Sequence, residues 1–166
     1  VSYVGYPIGD LAYLDPEAVV FLLLNKQLPT DAELATFKAD LASRSVVPQD
    51  TLERIAALPK DLHPMEWLMT GLLFIGMNNK TGSYKEDALN VMARMPTLVA
   101  TVFRARSGWG ELIPSKPELG LVENCVHQMG IPGGDNEKLS KLLRTFYILH
   151  MDHGGGNLST FSGKAV

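Results

Sequence analysis

The stretch YKEDALNVMARMPTLVATVFRAR, residues 84–106, is long and regular enough to set the structural class of the chain. Its apolar side chains recur every three or four positions, so they share one face of a helix. They are Leu89, Met92, Met95, Val99, Val102 and Phe103. We predict a helix from about Tyr84 to Arg106, kinked near Pro96 because proline removes one backbone donor.

Helical patterns also fill the sequence before that stretch. A capping residue and a proline at Asp15-Pro16-Glu17 start one helix, and a capping box at Thr30–Glu33 starts the next. Pro48 opens a short helix, and His63-Pro64 opens an apolar helix that runs to about Met77. The first residues, 2–8, alternate loosely and suggest a short strand or an extended lead-in.

The pattern continues after the long helix, beyond a glycine- and proline-rich loop. Residues 119–129 form a weaker helical pattern, and Asp135 caps a further helix. We expect the inward face of that last helix to carry Leu139, Leu142, Leu143, Phe146 and Leu149. About eight helices and no convincing sheet predict an all-α bundle.

Composition excludes several classes of protein. Hydrophobic residues make up 46% and charged residues 20% of the 166 positions, which argues against disorder. The net charge of −3 and the lack of a basic patch exclude a nucleic-acid partner. The longest apolar run, residues 67–77, falls short of the roughly 20 residues of a membrane span, so we expect no membrane partner.

The single cysteine and the two ends of the sequence lead to further expectations. Cys125 cannot form an internal disulfide, so we expect a reducing compartment and a small buried thiol. The sequence begins at Val1 without a signal-peptide pattern and ceases at Val166. We therefore expect a single domain that is cut at both ends.

The densest polar cluster is LHMDHGGGNLST, residues 149–160. His150 and His153 lie three positions apart beside Asp152, and three glycines allow the backbone to approach a ligand closely. A metal site is one alternative, although no third ligand has suitable spacing. The others are a structural histidine that caps the helix or packs in the core, and a site for a small anionic molecule.

Five phrases, read together and in order, resemble citrate synthases. They are residues 3–8 (YVGYPI), 22–30 (LLLNKQLPT), 62–65 (LHPM), 94–97 (RMPT) and 149–160. The last phrase resembles the first active-site segment of the family. The first phrase resembles bacterial members, so we expect a cytoplasmic, bacterial-type protein. In the second phrase, Lys26 stands where glycine is usual.

The resemblance implies an enzyme that condenses acetyl-CoA with oxaloacetate to give citrate and CoA, as a homodimer without a cofactor, since acetyl-CoA is a substrate. Residues 1–166 would be the N-terminal portion of its large helical domain, ending in the first active-site segment. The related 2-methylcitrate synthases, which use propionyl-CoA, share most of the phrases. A non-catalytic helical interaction or dimerisation module on the same scaffold is the alternative from another class.

The resemblance also implies roles for four residues. His153 would donate a hydrogen bond to oxaloacetate, and His150 and Asn157 would lie close to the substrate. Ser159 matches the serine that orients a catalytic histidine. The family's catalytic aspartate, later histidines and arginines lie beyond this phrase, and residues 154–166 contain no Asp, Glu, His or Arg. We therefore expect the isolated chain to be inactive.

Finally, the resemblance implies that the helices beginning at Pro64 and Tyr84 form much of a dimer interface. We expect five apolar side chains on them to be only partly buried within one chain. These are Leu68, Leu72, Ile75, Val99 and Val102.

Overall fold

The computed structural model describes residues 1–77 and 80–152, together with Leu158, Ser162 and Ala165. This described part contains eight helices and one two-stranded hairpin, which confirms the predicted all-α class. The helices are α1 Ile8–Leu11, α2 Pro16–Asn25, α3 Asp31–Arg44, α4 Gln49–Ala56, α5 Pro64–Met77, α6 Tyr84–Ser107, α7 Leu121–Met129 and α8 Asn136–His150. None of these helices combines the length and the apolar character needed to cross a membrane.

The chain opens with a small antiparallel hairpin of β1, Ser2–Tyr3, and β2, Tyr6–Pro7. Tyr3 lies opposite Tyr6 in the register. The two turn residues, Val4 and Gly5, have φ values of 52° and 87°, as a two-residue hairpin turn requires. Of the two alternatives predicted for residues 2–8, the short strand is therefore confirmed, and the short helix α1 follows it unpredicted.

The main core lies where α5 crosses α6. Trp67 and Ile75 of α5 pack with Leu98 and Val102 of α6, and Ile55 of α4 closes the cluster. Gly71 permits the close approach, because a Cβ there would overlap Cδ1 of Leu98.

Five apolar residues of α5 and α6 were expected to be only partly buried, and three of them are. Ile75 and Val102 are only 3% and 5% exposed, because they meet each other inside the α5–α6 core. Their expected partial burial was therefore wrong, whereas Leu68, Leu72 and Val99 are half-buried. The exposed apolar stripe consists of Met65, Met69, Leu73 and Met77, spaced four residues apart and 53–71% exposed.

Two buried charged side chains join α7 to the rest of the fold. Glu17 of α2 is 2% exposed and accepts a hydrogen bond from the Leu121 backbone N–H at 2.7 Å, so it caps α7. Arg104 of α6 donates to the carbonyls of Glu111 and Met129, each at 2.8 Å. The carbonyl at the end of α7 thereby receives a cationic partner, which suits the negative end of the helix dipole.

The last helix, α8, packs against the fold on one side and exposes apolar side chains on another. Leu139 and Leu143 pack against the cluster around Val126 of α7. Arg144 pairs with both Asp15 and Glu123. Three of the side chains predicted to face inward are instead exposed, and these are Leu142 at 64%, Phe146 at 53% and Leu149 at 44%. That prediction was wrong because the apolar arc of α8 is wider than the surface that α2 and α7 cover.

Candidate functional site

The end of α8 is anchored to the body of the molecule through Ile148, and Met151 packs against the same cluster. The side chain of Ile148 is fully buried in this cluster with Tyr3, Leu11, Val19 and Leu22. Its carbonyl accepts a 2.8 Å hydrogen bond from the buried Tyr3 hydroxyl. The 149–160 phrase therefore begins from an anchored point, although its first side chains, Leu149 and His150, are exposed.

His150 is folded back onto its own helix. Its Nδ1 lies 2.7 Å from the Phe146 carbonyl oxygen, which can only accept, so Nδ1 carries the proton and donates it. The imidazole also stacks on the Phe146 ring, with centroids 4.1 Å apart and an interplanar angle of 27°. This contact fits the alternative of a helix-capping histidine.

The same contact limits what His150 can do for a ligand. With Nδ1 engaged, only Nε2 is left for another partner. A neutral His150 would offer a lone pair at Nε2, and only the protonated ring would offer a donor to a carboxylate there. His150 thus suits a supporting role beside an anion better than the role of its sole neutral donor.

The other three predicted site residues lie outside the described residues. These are His153, Asn157 and Ser159. The described part of the phrase reaches Asp152, and it neither supports nor opposes the predicted contacts. Within the described residues, no group of three or more His, Cys, Asp and Glu side chains is arranged to hold a metal ion.

The remaining histidine and cysteine candidates have structural explanations. His63 Nδ1 accepts a hydrogen bond from the Met65 backbone N–H. The backbone N–H of His63 donates to the Glu66 carboxylate, so His63 caps the start of α5. Cys125 is buried, and burial raises the pKa of its thiol to about 11. It is a packed, unreactive side chain, as the sequence predicted for this residue.

A cavity of about 320 Å³ lies among α2, α3, α6 and α7, away from the 149–160 phrase. Its buried polar lining already serves the fold. Glu17 caps α7, Asn124 bonds both backbone groups of Lys116, and Thr97 donates to Gln128 at 3.1 Å. Because these polar groups already have hydrogen-bond partners within the fold, we assign no candidate site to the cavity.

Tyr3 and Glu17 are the residues that sequence reasoning missed. Each acts across more than 100 residues of sequence, on Ile148 and Leu121 respectively. Local patterns placed Tyr3 in a short strand or an extended lead-in and Glu17 at the start of a helix. The signal that would find such pairs lies in the tertiary structure.

The chain is similar to known proteins along its whole length. The family model described as "Citrate synthase, C-terminal domain" matches residues 1–166. The chain is 33% identical to "Citrate synthase 4, mitochondrial" of Arabidopsis thaliana, over 91% of this chain and 34% of that protein. It is 32% identical to "2-methylcitrate synthase, mitochondrial" of Yarrowia lipolytica, over 91% of this chain and 35% of that protein.

A solved structure agrees with these matches. The crystal structure of citrate synthase from Thermotoga maritima superposes with a TM-score of 0.81 and 33% sequence identity. The match covers 96% of this chain and 42% of that one. The chain spans about a third of the length of the curated relatives that it matches.

These relatives correct one expectation. The predicted cytoplasmic, bacterial-type character is contradicted, because both curated relatives above are mitochondrial proteins of eukaryotes. The family includes mitochondrial members, so a resemblance to the family does not identify a compartment.

Proposed function

Because the chain belongs to the citrate synthase family, as its match to the family model over residues 1–166 shows, we propose that it is part of a working citrate synthase. The reaction would join acetyl-CoA to oxaloacetate and release citrate and CoA. Residues 1–166 would be the N-terminal portion of the large domain. The observation that carries the proposal is the family phrase at residues 149–160, which starts from the anchored end of α8.

The substrate site would lie at that phrase. His153 would donate to the oxaloacetate carbonyl or a carboxylate, and Asn157 would line the same turn. His150 would support the site through Nε2, since its Nδ1 is held by the Phe146 carbonyl. Ser159 would orient a histidine supplied by the rest of the chain. Neither a cofactor nor a metal is part of this proposal, because acetyl-CoA enters as a substrate.

The test is a His153→Ala variant of the complete enzyme. One buried, charge-assisted hydrogen bond contributes roughly 1.5–3 kcal/mol, so oxaloacetate binding should weaken about 10- to 100-fold. Turnover should fall as well, because the donor holds the carbonyl for attack. The assay follows CoA release while the oxaloacetate concentration is varied.

His127→Ala is the matched control, because His127 is also a histidine but lies in the last turn of α7. It should leave the oxaloacetate KM unchanged. An unaltered KM in the His153→Ala enzyme would show that residues 149–160 are scaffold. The same assay with propionyl-CoA tests the second candidate, 2-methylcitrate synthase, which the match to the Yarrowia protein favours.

The complete enzyme would be a homodimer through the exposed face of α5. The support is the stripe of Met65, Met69, Leu73 and Met77, since a soluble surface rarely leaves a continuous apolar row uncovered. Leu73→Glu would place a charge in that stripe and should shift the protein to monomer in analytical ultracentrifugation. Val46→Glu is the control, because Val46 is exposed to a similar degree, 67% against 65%, outside α5. Equal dimerisation of both variants would contradict the proposal.

A further inference from the structure

We propose that Tyr3 is a positioning residue for the substrate site, acting through the Ile148 carbonyl. This inference rests on the proposed function, because it concerns the site that begins at the end of α8. Tyr3 lies in the N-terminal hairpin and Ile148 in the last turn of α8, 145 residues apart in sequence. Their 2.8 Å hydrogen bond joins the first strand of the chain to the beginning of the 149–160 phrase.

Ile148 and Met151 also pack against the apolar cluster around Tyr3 at the end of α8. The neighbours of Ile148, namely Tyr147, Leu149 and His150, are all exposed. The ion pairs of α8 with other elements are made by Arg144, one turn earlier. Among the described residues of the last turn, the Tyr3 bond is the one hydrogen bond to another element. Together with the packing of Ile148 and Met151, it fixes the position of the end of the helix.

The chemistry of the bond suits this role. The last carbonyls of a helix have no intrahelical donor, and an outside donor that binds one of them fixes where the chain leaves the helix. Met151 N–H reaches the same carbonyl only at 3.4 Å. Tyr3 is 1% exposed and its ring is packed against Leu11, Val19 and Leu22, so the hydroxyl is held rigidly in place.

A small shift there would reach the site. His150 follows Ile148 by two residues, and its Nδ1 bond to Phe146 moves with the same turn. A histidine that must meet a substrate within hydrogen-bond distance loses effectiveness when its backbone moves by a fraction of an ångström. The hydroxyl of Tyr3 would thus matter to substrate binding without touching the substrate.

Tyr3→Phe in the complete enzyme removes that hydroxyl and keeps the packed ring. We expect the oxaloacetate KM to rise about three- to tenfold, with the acetyl-CoA KM nearly unchanged. The control is Thr101→Val, which removes another buried hydroxyl, the one that donates to the Thr97 carbonyl at 2.8 Å in α6. This control should lower the melting temperature by a similar amount and leave the oxaloacetate KM unchanged.

A second readout separates this inference from the proposed function. The ring resonances of His150, followed by NMR in the same variants, should move in Tyr3→Phe and stay in place in Thr101→Val. Wild-type enzyme without synthase activity would overturn the proposed function, and the His150 resonances would still decide the role of Tyr3. Resonances and KM values that respond equally to both variants, or to neither, would show that Tyr3 is only a packing residue.

Discussion

Lys26 occupies a backbone conformation that suits glycine better. It follows α2 with φ 65° and ψ 15°, and its N–H bonds the Leu22 carbonyl at 2.8 Å. This left-handed cap explains why glycine is usual at this position of the family phrase. Lys26→Gly should raise the free energy of unfolding by about 0.5–1 kcal/mol in urea denaturation, because relief of the strained φ exceeds the added chain entropy. Lys26→Ala removes the same side chain without freeing φ, and stabilisation by that variant would contradict the explanation.

Asp15, at the start of α2, forms ion pairs with two other helices. It pairs with Lys38 of α3 and Arg144 of α8, and its side chain is 29% exposed. Burial alone would raise the pKa of Asp15, but the hydrogen bonds and charges of Lys38 and Arg144 outweigh it and lower the pKa below the ordinary 3.8. A carboxyl with a lowered folded-state pKa stabilises above its unfolded pKa and loses that contribution as pH falls through the folded value.

Asp15→Asn should therefore destabilise the protein at pH 7 by roughly 1–3 kcal/mol. The difference from wild type should shrink as the pH falls below about 4, where the carboxyl of the unfolded chain becomes protonated, and it should be lost once the pH falls through the lowered pKa of folded Asp15. Urea denaturation at pH 7 and pH 3 measures both values. Asp50→Asn is the control, since its pair with Arg54 is long, at 3.9 Å, and exposed. A stability difference independent of pH would count against the ion-pair explanation.

Contacts between individual residues could be predicted only in part from the sequence. The Thr30–Glu33 capping box is present as predicted, with Thr30 N–H donating to the Glu33 carboxylate at 2.8 Å. Such pairs are local, and local spacing is what a sequence shows directly. The partners of Asp15 lie 23 and 129 residues away, and no spacing rule connects them.

At the scale of elements, α5 and α6 approach each other closely at Gly71. Substitutions at two glycines of α5 should have opposite effects on stability. Gly71→Ala should destabilise by about 1–3 kcal/mol, because the new methyl group meets fully buried Leu98. Gly76→Ala should stabilise by about 0.5–1 kcal/mol, since no atom lies within 4 Å of its added Cβ and alanine favours a helix. Thermal unfolding of the two variants compares them, and a stable Gly71→Ala protein would show that the crossing has room to spare.

The helices themselves were predictable, whereas their exposed faces were not. Hydrophobic periodicity located α5, α6 and α8 within a few residues of their observed bounds. It also marked Leu142 and Phe146 as apolar positions of α8, and they are exposed. Periodicity shows that a face is apolar, but the covering element is a property of the tertiary structure. The partial burial expected of Ile75 came from the family resemblance, which does not show which face of α5 packs on α6, and Ile75 lies in the core.

At the scale of the whole molecule, the isolated chain should bind and react poorly. Residues 154–166 offer no acid, histidine or arginine, so we expect no CoA release from acetyl-CoA and oxaloacetate by purified residues 1–166. The complete enzyme assayed in parallel is the positive control. Measurable turnover by the 166-residue chain would mean that the catalytic groups lie within it. The predicted site stays a prediction at this scale, because three of its four residues lie outside the described ones.

The bond between Tyr3 and Ile148 has a consequence for the newly made polypeptide. The hairpin is synthesised before its docking partner, which follows 145 residues later in the chain. At roughly 5–20 residues per second, the tyrosine ring waits on the order of ten seconds or more before it can be enclosed. During that interval the hairpin is open to chaperones and proteases, and its late docking completes the folding of this part of the chain.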